Sequence, residues 1–132
     1  MWLFTRYGFY SIACGNAPDG SLDPDVVMVR ARQVDHLREL QNRFPQLADV
    51  QIVTMPHRDY RYRLVVAKEL WVGLVAEIAR EQQWSNFKDE AARYQGRAGS
   101  DYVHSLHNVW RVMYDLQEGA RRTAIRSSPK EP

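Results

Sequence analysis

The sequence predicts an α+β fold: a four-stranded, antiparallel-type sheet with helices packed on one face. Three observations carry this. Four stretches between residues 2 and 67 are rich in aromatic and β-branched residues, and two of them alternate apolar with polar at period two. A single helical stretch interrupts them at residues 34–44. From Lys68 onward the apolar spacing changes to three and four. The chain has 132 residues, of which 45% are hydrophobic and 26% charged, which suits one self-sufficient globular core.

Residues 2–13, with Trp2, Phe4, Tyr7, Phe9, Tyr10 and Ile12, read as one strand. Arg6 in the middle of this segment speaks against an export signal. "GNAPDGSLDPD" (15–25) is a loop by its turn residues. In "VVMVRAR" (26–32), Val27, Val29 and Ala31 form one face of a second strand, and Met28, Arg30 and Arg32 the other. Val34, Leu37, Leu40 and Phe44 stand at helical spacing, and Pro45 ends that helix. A third strand at 50–55, a turn over Pro56–Asp59 and a fourth strand at 60–67 follow. Leu70, Trp71, Leu74, Val75 and Ile78 mark a helix that runs to about Gln82. Shorter and longer helices are expected at 87–95 and 101–117, separated by "GRAGS". Gly119 should stop the last helix, leaving a single domain at 1–118 and a flexible basic tail at 119–132.

This order fits a permuted ferredoxin-like sheet with strand order 1-2-4-3 and four helices, the usual last strand having moved to the front. The second and fourth strands are expected as a parallel central pair. Val27, Val29, Leu64, Val66, Leu74, Ile78, Leu106 and Trp110 are expected to share one core.

Charge limits the partners. Net charge is +2, and four basic residues, Arg121, Arg122, Arg126 and Lys130, lie in the tail. The remainder is close to neutral, so nucleic-acid binding requires a local patch. In "HRDYRYRLVV" (57–66) the tyrosines alternate with Arg61 and Arg63. If Tyr60, Tyr62, Leu64 and Val66 pack under the helices, then Arg30, Arg32, Arg61 and Arg63 converge on the opposite face. That surface reads as a solvated face, a homodimer contact or a phosphate platform. "RYGFY" (6–10) weakly echoes a nucleic-acid-binding sheet motif.

Other chemistry finds less support. His104 and His107 are three apart on a helix, and Asp101 reads better as a first-turn acid than as a third metal ligand. No metal or other cofactor is expected. Cys14, the only cysteine, cannot form an intrachain disulfide; it reads as a small apolar residue in a cytoplasmic protein. Asp19, Asp23 and Asp25 lack the spacing of a calcium loop and read as turn residues. "GRAG" (96–99) resembles the GxxG of KH domains, and Arg97 with the amides at a helix N-terminus suits an anion. Asp101 just beyond it opposes phosphate. Phosphate-loop, dinucleotide and metalloprotease signatures are absent.

"MWLFTRYGFYS", "NFKDEAARYQ" and "DYVHSLHNVWRVMYDLQ" together resemble a family of small bacterial proteins of uncharacterised function. The resemblance spans most of the chain apart from loop 15–25 and the tail. It implies a soluble, single-domain bacterial protein and transfers no site residue. The sequence favours a non-enzymatic binding or interaction module. The alternatives are a nucleic-acid binder using the arginine face and the GRAG loop, and an enzyme with dispersed catalytic residues. Residues that would bind an anion or nucleic acid are Arg30, Arg32, Arg61, Arg63 and Arg97.

Overall fold

In the computed structural model, which describes residues 1–127 and side chains as far as Thr123, the first strand region folds back on itself. β1 (Trp2–Thr5) and β2 (Gly8–Asn16) form a hairpin rather than one strand. Thr5 closes its turn: its Oγ1 accepts from the amides of Tyr7 and Gly8 and donates to the Gly8 carbonyl. Gly8 also lies under a side chain, since a Cβ there would stand 2.3 Å from Cγ of His36. β2 and β3 (Leu22–Ala31) extend into the expected loop and leave only residues 17–21 between them. A register shift at Cys14/Gly15 absorbs Pro24 in the opposite strand.

The remaining elements are α1 (Val34–Arg43), a 3₁₀ turn (Pro45–Leu47), β4 (Val53–Thr54), β5 (Tyr62–Ala67), α2 (Lys68–Arg80), α3 (Phe87–Gln95), a second 3₁₀ turn (Gly96–Gly99) and α4 (Ser100–Ser127). The sheet has five strands in the order β1-β2-β3-β5-β4, and every pairing is antiparallel. The expected parallel central pair is thereby corrected. β3 and β4 run the same way across the α1 crossover. The β4–β5 connection, residues 55–61, reverses the chain, so β5 enters the gap between them running the other way.

The chain divides into two compact units, Met1–Phe87 and Lys88–Pro132. In the first, α1 and α2 pack on one face of the sheet. Tyr10, Ile12, Val27, Val29, Ala31, Leu64 and Val66 meet Leu37, Leu40, Trp71 and Leu74 there, and Ile78 joins from the edge. In the second, Ala91, Tyr102 and Leu106 are buried. Trp110 does not join a core: it is exposed and stacks on Tyr114, 5.4 Å away. Its spacing from Leu106 is that of a core residue, but periodicity records the stripe and not what covers it. Nor does the last helix stop at Gly119, because alanine and arginine follow and one interior glycine costs a helix only about 1 kcal/mol. Lys130 and Glu131 of the expected tail lie outside the described residues. Among the described residues, no helix is long and apolar enough to cross a membrane.

His36 is buried on α1. Its Nδ1 accepts from the Phe9 amide, and its carbonyl accepts from the Tyr10 hydroxyl at 2.6 Å. Burial holds its pKa below the ordinary value, with Phe9 and Asp35 opposing.

Two consequences can be measured. Leu74 is fully enclosed, so Leu74→Ala should cost about 2–5 kcal/mol in chemical denaturation; a loss under about 0.5 kcal/mol would contradict this packing. The unfolded chain protonates His36 at a higher pH than the folded chain does. Stability should therefore fall as pH drops through about 6.5 and below, and His36→Gln should flatten that dependence. An unchanged pH profile in His36→Gln would contradict the buried, neutral imidazole.

Candidate functional site on the sheet face opposite the helices

Strand pairing lines up one transverse row of residues. Trp2 stands opposite Ser11, Ser11 opposite Arg30, Arg30 opposite Arg63, and Arg63 opposite Val53. The row lies on the face away from α1 and α2, because the residues on either side of Arg30 and Arg63, namely Val29, Ala31, Tyr62 and Leu64, pack in the core.

Arg30 is held in place by its neighbour strand: its Nη2 donates to Ser11 Oγ at 2.8 Å and its Nε to the Ser11 carbonyl at 3.3 Å. Its guanidinium lies 4.9 Å from the Tyr60 ring centre, and that of Arg32 lies 4.4 Å from the same ring. Phe9 adjoins Tyr60 and also sits beneath Arg32, at 5.9 Å. Phe4 stacks on Phe9, and exposed Trp2 meets Phe9 edge-on. The result is an aromatic bed, Trp2, Phe4, Phe9 and Tyr60, partly covered by cations.

Tyr60 differs from the expectation. β5 begins only at Tyr62, so the alternation does not extend back to residue 60. A bend there turns the Tyr60 ring to the arginine side, where it is 5% exposed and outside the helix-packed core. Tyr62 does pack against that core.

Arg63 completes the cluster. Its Nη1 donates to Met28 Sδ at 3.6 Å and its Nη2 to the Tyr60 carbonyl at 3.4 Å, while its Nε is buried with no hydrogen-bond partner among the described residues. Burial, followed by the charges of Arg30 and Arg58, holds its pKa below the ordinary guanidinium value; Asp59 opposes. Among the described residues no ion pair joins Arg30, Arg32 or Arg63 to a carboxylate. Like charges placed directly opposite in a sheet are unfavourable, and here no acid of the described residues offsets them at contact distance.

The structure brings together Arg30, Arg32 and Arg63. Arg61 precedes β5 and is exposed; its carbonyl accepts from the Met55 amide, and its side chain joins none of these contacts. Arg97 is exposed in the other unit. The GRAG segment is a 3₁₀ turn running straight into α4, and the Ser100 amide is used by the Arg97 carbonyl. Gly99 has a packing reason, since a Cβ there would meet Gln95 Cβ at 2.3 Å.

A second cluster had no sequence signal. Glu81, at the end of α2, accepts from Arg43 on Oε1 and from the Tyr7 hydroxyl on Oε2, with Arg6 3.5 Å away. Burial and Glu81 raise the Tyr7 pKa, and Arg6 offsets part of this. These contacts tie the β1–β2 turn to the ends of α1 and α2. Beside them lies a cavity of about 240 Å³, lined by Leu3, Val75, Ile78, Trp84 and Phe87 among others. The indole N–H of Trp84 is buried with no hydrogen-bond partner among the described residues.

The remaining candidates have local explanations. Cys14 Sγ donates to the Asp23 carbonyl at 3.1 Å. Asp19 and Asp23 accept from the Ser21 and Asp25 amides as turn residues. His104 and His107 are exposed, and His107 Nδ1 lies 3.5 Å from Lys88 Nζ. Among the described residues, no group of three or more His, Cys, Asp or Glu side chains is placed to hold a metal.

Comparison with protein-family profiles, curated proteins and solved structures returns no match.

Proposed function

We propose that this chain is a non-enzymatic binding module whose sheet face opposite the helices binds a phosphate-bearing polymer, with single-stranded nucleic acid as the ligand class. The observation that carries the reading is Arg30 standing opposite Arg63 with no carboxylate contact among the described residues, beside Arg32 on a shared tyrosine ring. A sheet that places like charges in register accepts a cost, and such breaches of local rules concentrate at functional sites. Guanidinium groups match phosphate with paired donors. Exposed Trp2, beside Phe9, offers a ring for an unpaired base. At the Tyr7–Glu81 cluster the titratable groups are engaged with one another, which favours a binding reading over an enzymatic one.

The permuted ferredoxin-like description belongs to the same proposal. It is supported by β3-α1-β4-β5-α2 with β5 between β3 and β4, and by β2 occupying the far side of β3. Fold alone assigns no function. The three quoted sequence stretches support a place among small bacterial proteins, and the lone cysteine, Cys14, supports a cytoplasmic one.

Binding should be weak at physiological salt, because the near-neutral body provides little steering. Fluorescence anisotropy with labelled single-stranded DNA and RNA tests the proposal. Three contacts, from Arg30, Arg32 and Arg63, predict a slope near −2 in log K against log salt, at about −0.7 per phosphate. Arg30→Gln with Arg32→Gln should flatten it to roughly −0.7. Arg121→Gln with Arg122→Gln should leave it unchanged. No binding by the unaltered chain at low salt would end the platform reading.

A further inference from the structure

α4 carries an apolar stripe that is exposed at Val109, Met113 and Leu116. Leu106, Val109, Met113, Leu116, Ala120 and Thr123 are spaced three, four, three, four and three apart, the spacing by which helices pair along a seam. Leu106 is buried, but farther along the stripe comes into the open. Val112, Met113 and Leu116 are 66%, 56% and 64% exposed, and Trp110 beside them is 54% exposed. Soluble monomers rarely leave a continuous apolar patch larger than a few hundred Å². These side chains present roughly 500 Å² per helix, so a pair of such helices would bury about 1,000 Å², the lower bound of a specific interface.

We infer that a second copy of this chain covers the stripe, with the two α4 helices antiparallel about a point between Tyr114 and Asp115. The spacing is symmetric about that point. Reversal brings Met113 against Leu116 of the second copy and Val109 against Ala120. It also sets Val112 on the same flank of the seam as Gly119 of the second copy, about 3 Å along the axis from level, so that a larger side chain meets a smaller one. Gly119 has no other explanation in the helix: nothing lies within 4 Å of where its Cβ would be. A glycine there weakens the helix relative to alanine, but it leaves room for the Val112 of a facing helix.

Electrostatics permits self-pairing. Arg111, Asp115, Glu118, Arg121 and Arg122 all fall at positions turned away from the seam, and the flanking positions hold Trp110, Val112, Gln117 and Gly119. No charge confronts its own copy across the interface. This inference is independent of the arginine face and places the self-contact on α4 instead of the sheet.

Light scattering on the full chain at about 50 µM, a concentration suited to an interface of this size, should give twice the monomer mass of 15.4 kDa. Met113→Glu and Leu116→Glu should each return the mass to 15.4 kDa with an unchanged circular dichroism spectrum, since both positions are exposed in the single chain. Orientation is read by oxidation in a Cys14→Ser background. Val109→Cys with Ala120→Cys should form crosslinked dimers, whereas neither single cysteine should, because like positions in the antiparallel pair lie about 16 Å apart along the axis. A monomeric unaltered chain at that concentration, or a dimer indifferent to both glutamate variants, would overturn the inference. Crosslinking by the single cysteines would overturn the antiparallel pairing.

Discussion

The antiparallel register of β3 and β5 decides what each face of the sheet presents. Val27 stands opposite Val66 and Val29 opposite Leu64, which gives α1 and α2 a continuous apolar surface to cover. Because side chains alternate along a strand, the same register places Met28 opposite Val65 and Arg30 opposite Arg63 on the other side. A slip of one residue would exchange the two sets and put guanidinium groups under the helices. Burial of the valines and leucines therefore fixes the arginine row, and burial of apolar surface is the larger energy.

Two sets of arginines are used differently. Arg6 and Arg43 converge on Glu81, and Arg38, Arg80 and Arg93 each meet an acid three residues away on their own helix. Arg30, Arg32 and Arg63 are instead positioned by a serine, a methionine, a carbonyl and aromatic rings. Those contacts orient a guanidinium without neutralising it. Orientation with retained charge is what a phosphate site requires, and it separates these three arginines from those that meet an acid.

Much of this was legible in the sequence where burial enforces a period. The alternation of 26–32 and of 62–67 located the central strands and both arginines of the row, and the Leu70–Ile78 stripe located α2. The losses occurred where tertiary structure overrides local pattern. The β1–β2 turn carries Arg6-Tyr7, an unusual turn pair, and is closed by the Thr5 hydroxyl, so residues 2–13 read as one strand. Tyr60 continued an alternation that the strand itself does not continue. Glu81 and His36 act through partners 74 and 27 residues away, a separation that no local spacing encodes. Trp110 had the spacing of a core residue because a stripe awaiting a partner and a stripe already covered look alike.

The arginine-face account is tested most directly by arginine side-chain Nε–Hε spectra recorded during titration with a short single-stranded oligonucleotide. The account predicts movement of the Arg30, Arg32 and Arg63 signals together with the Ser11 amide, while Arg38 and Arg80, paired to Asp35 and Glu77, remain still. Shifts confined to the arginines of α4, or no shifts at low salt, would contradict it.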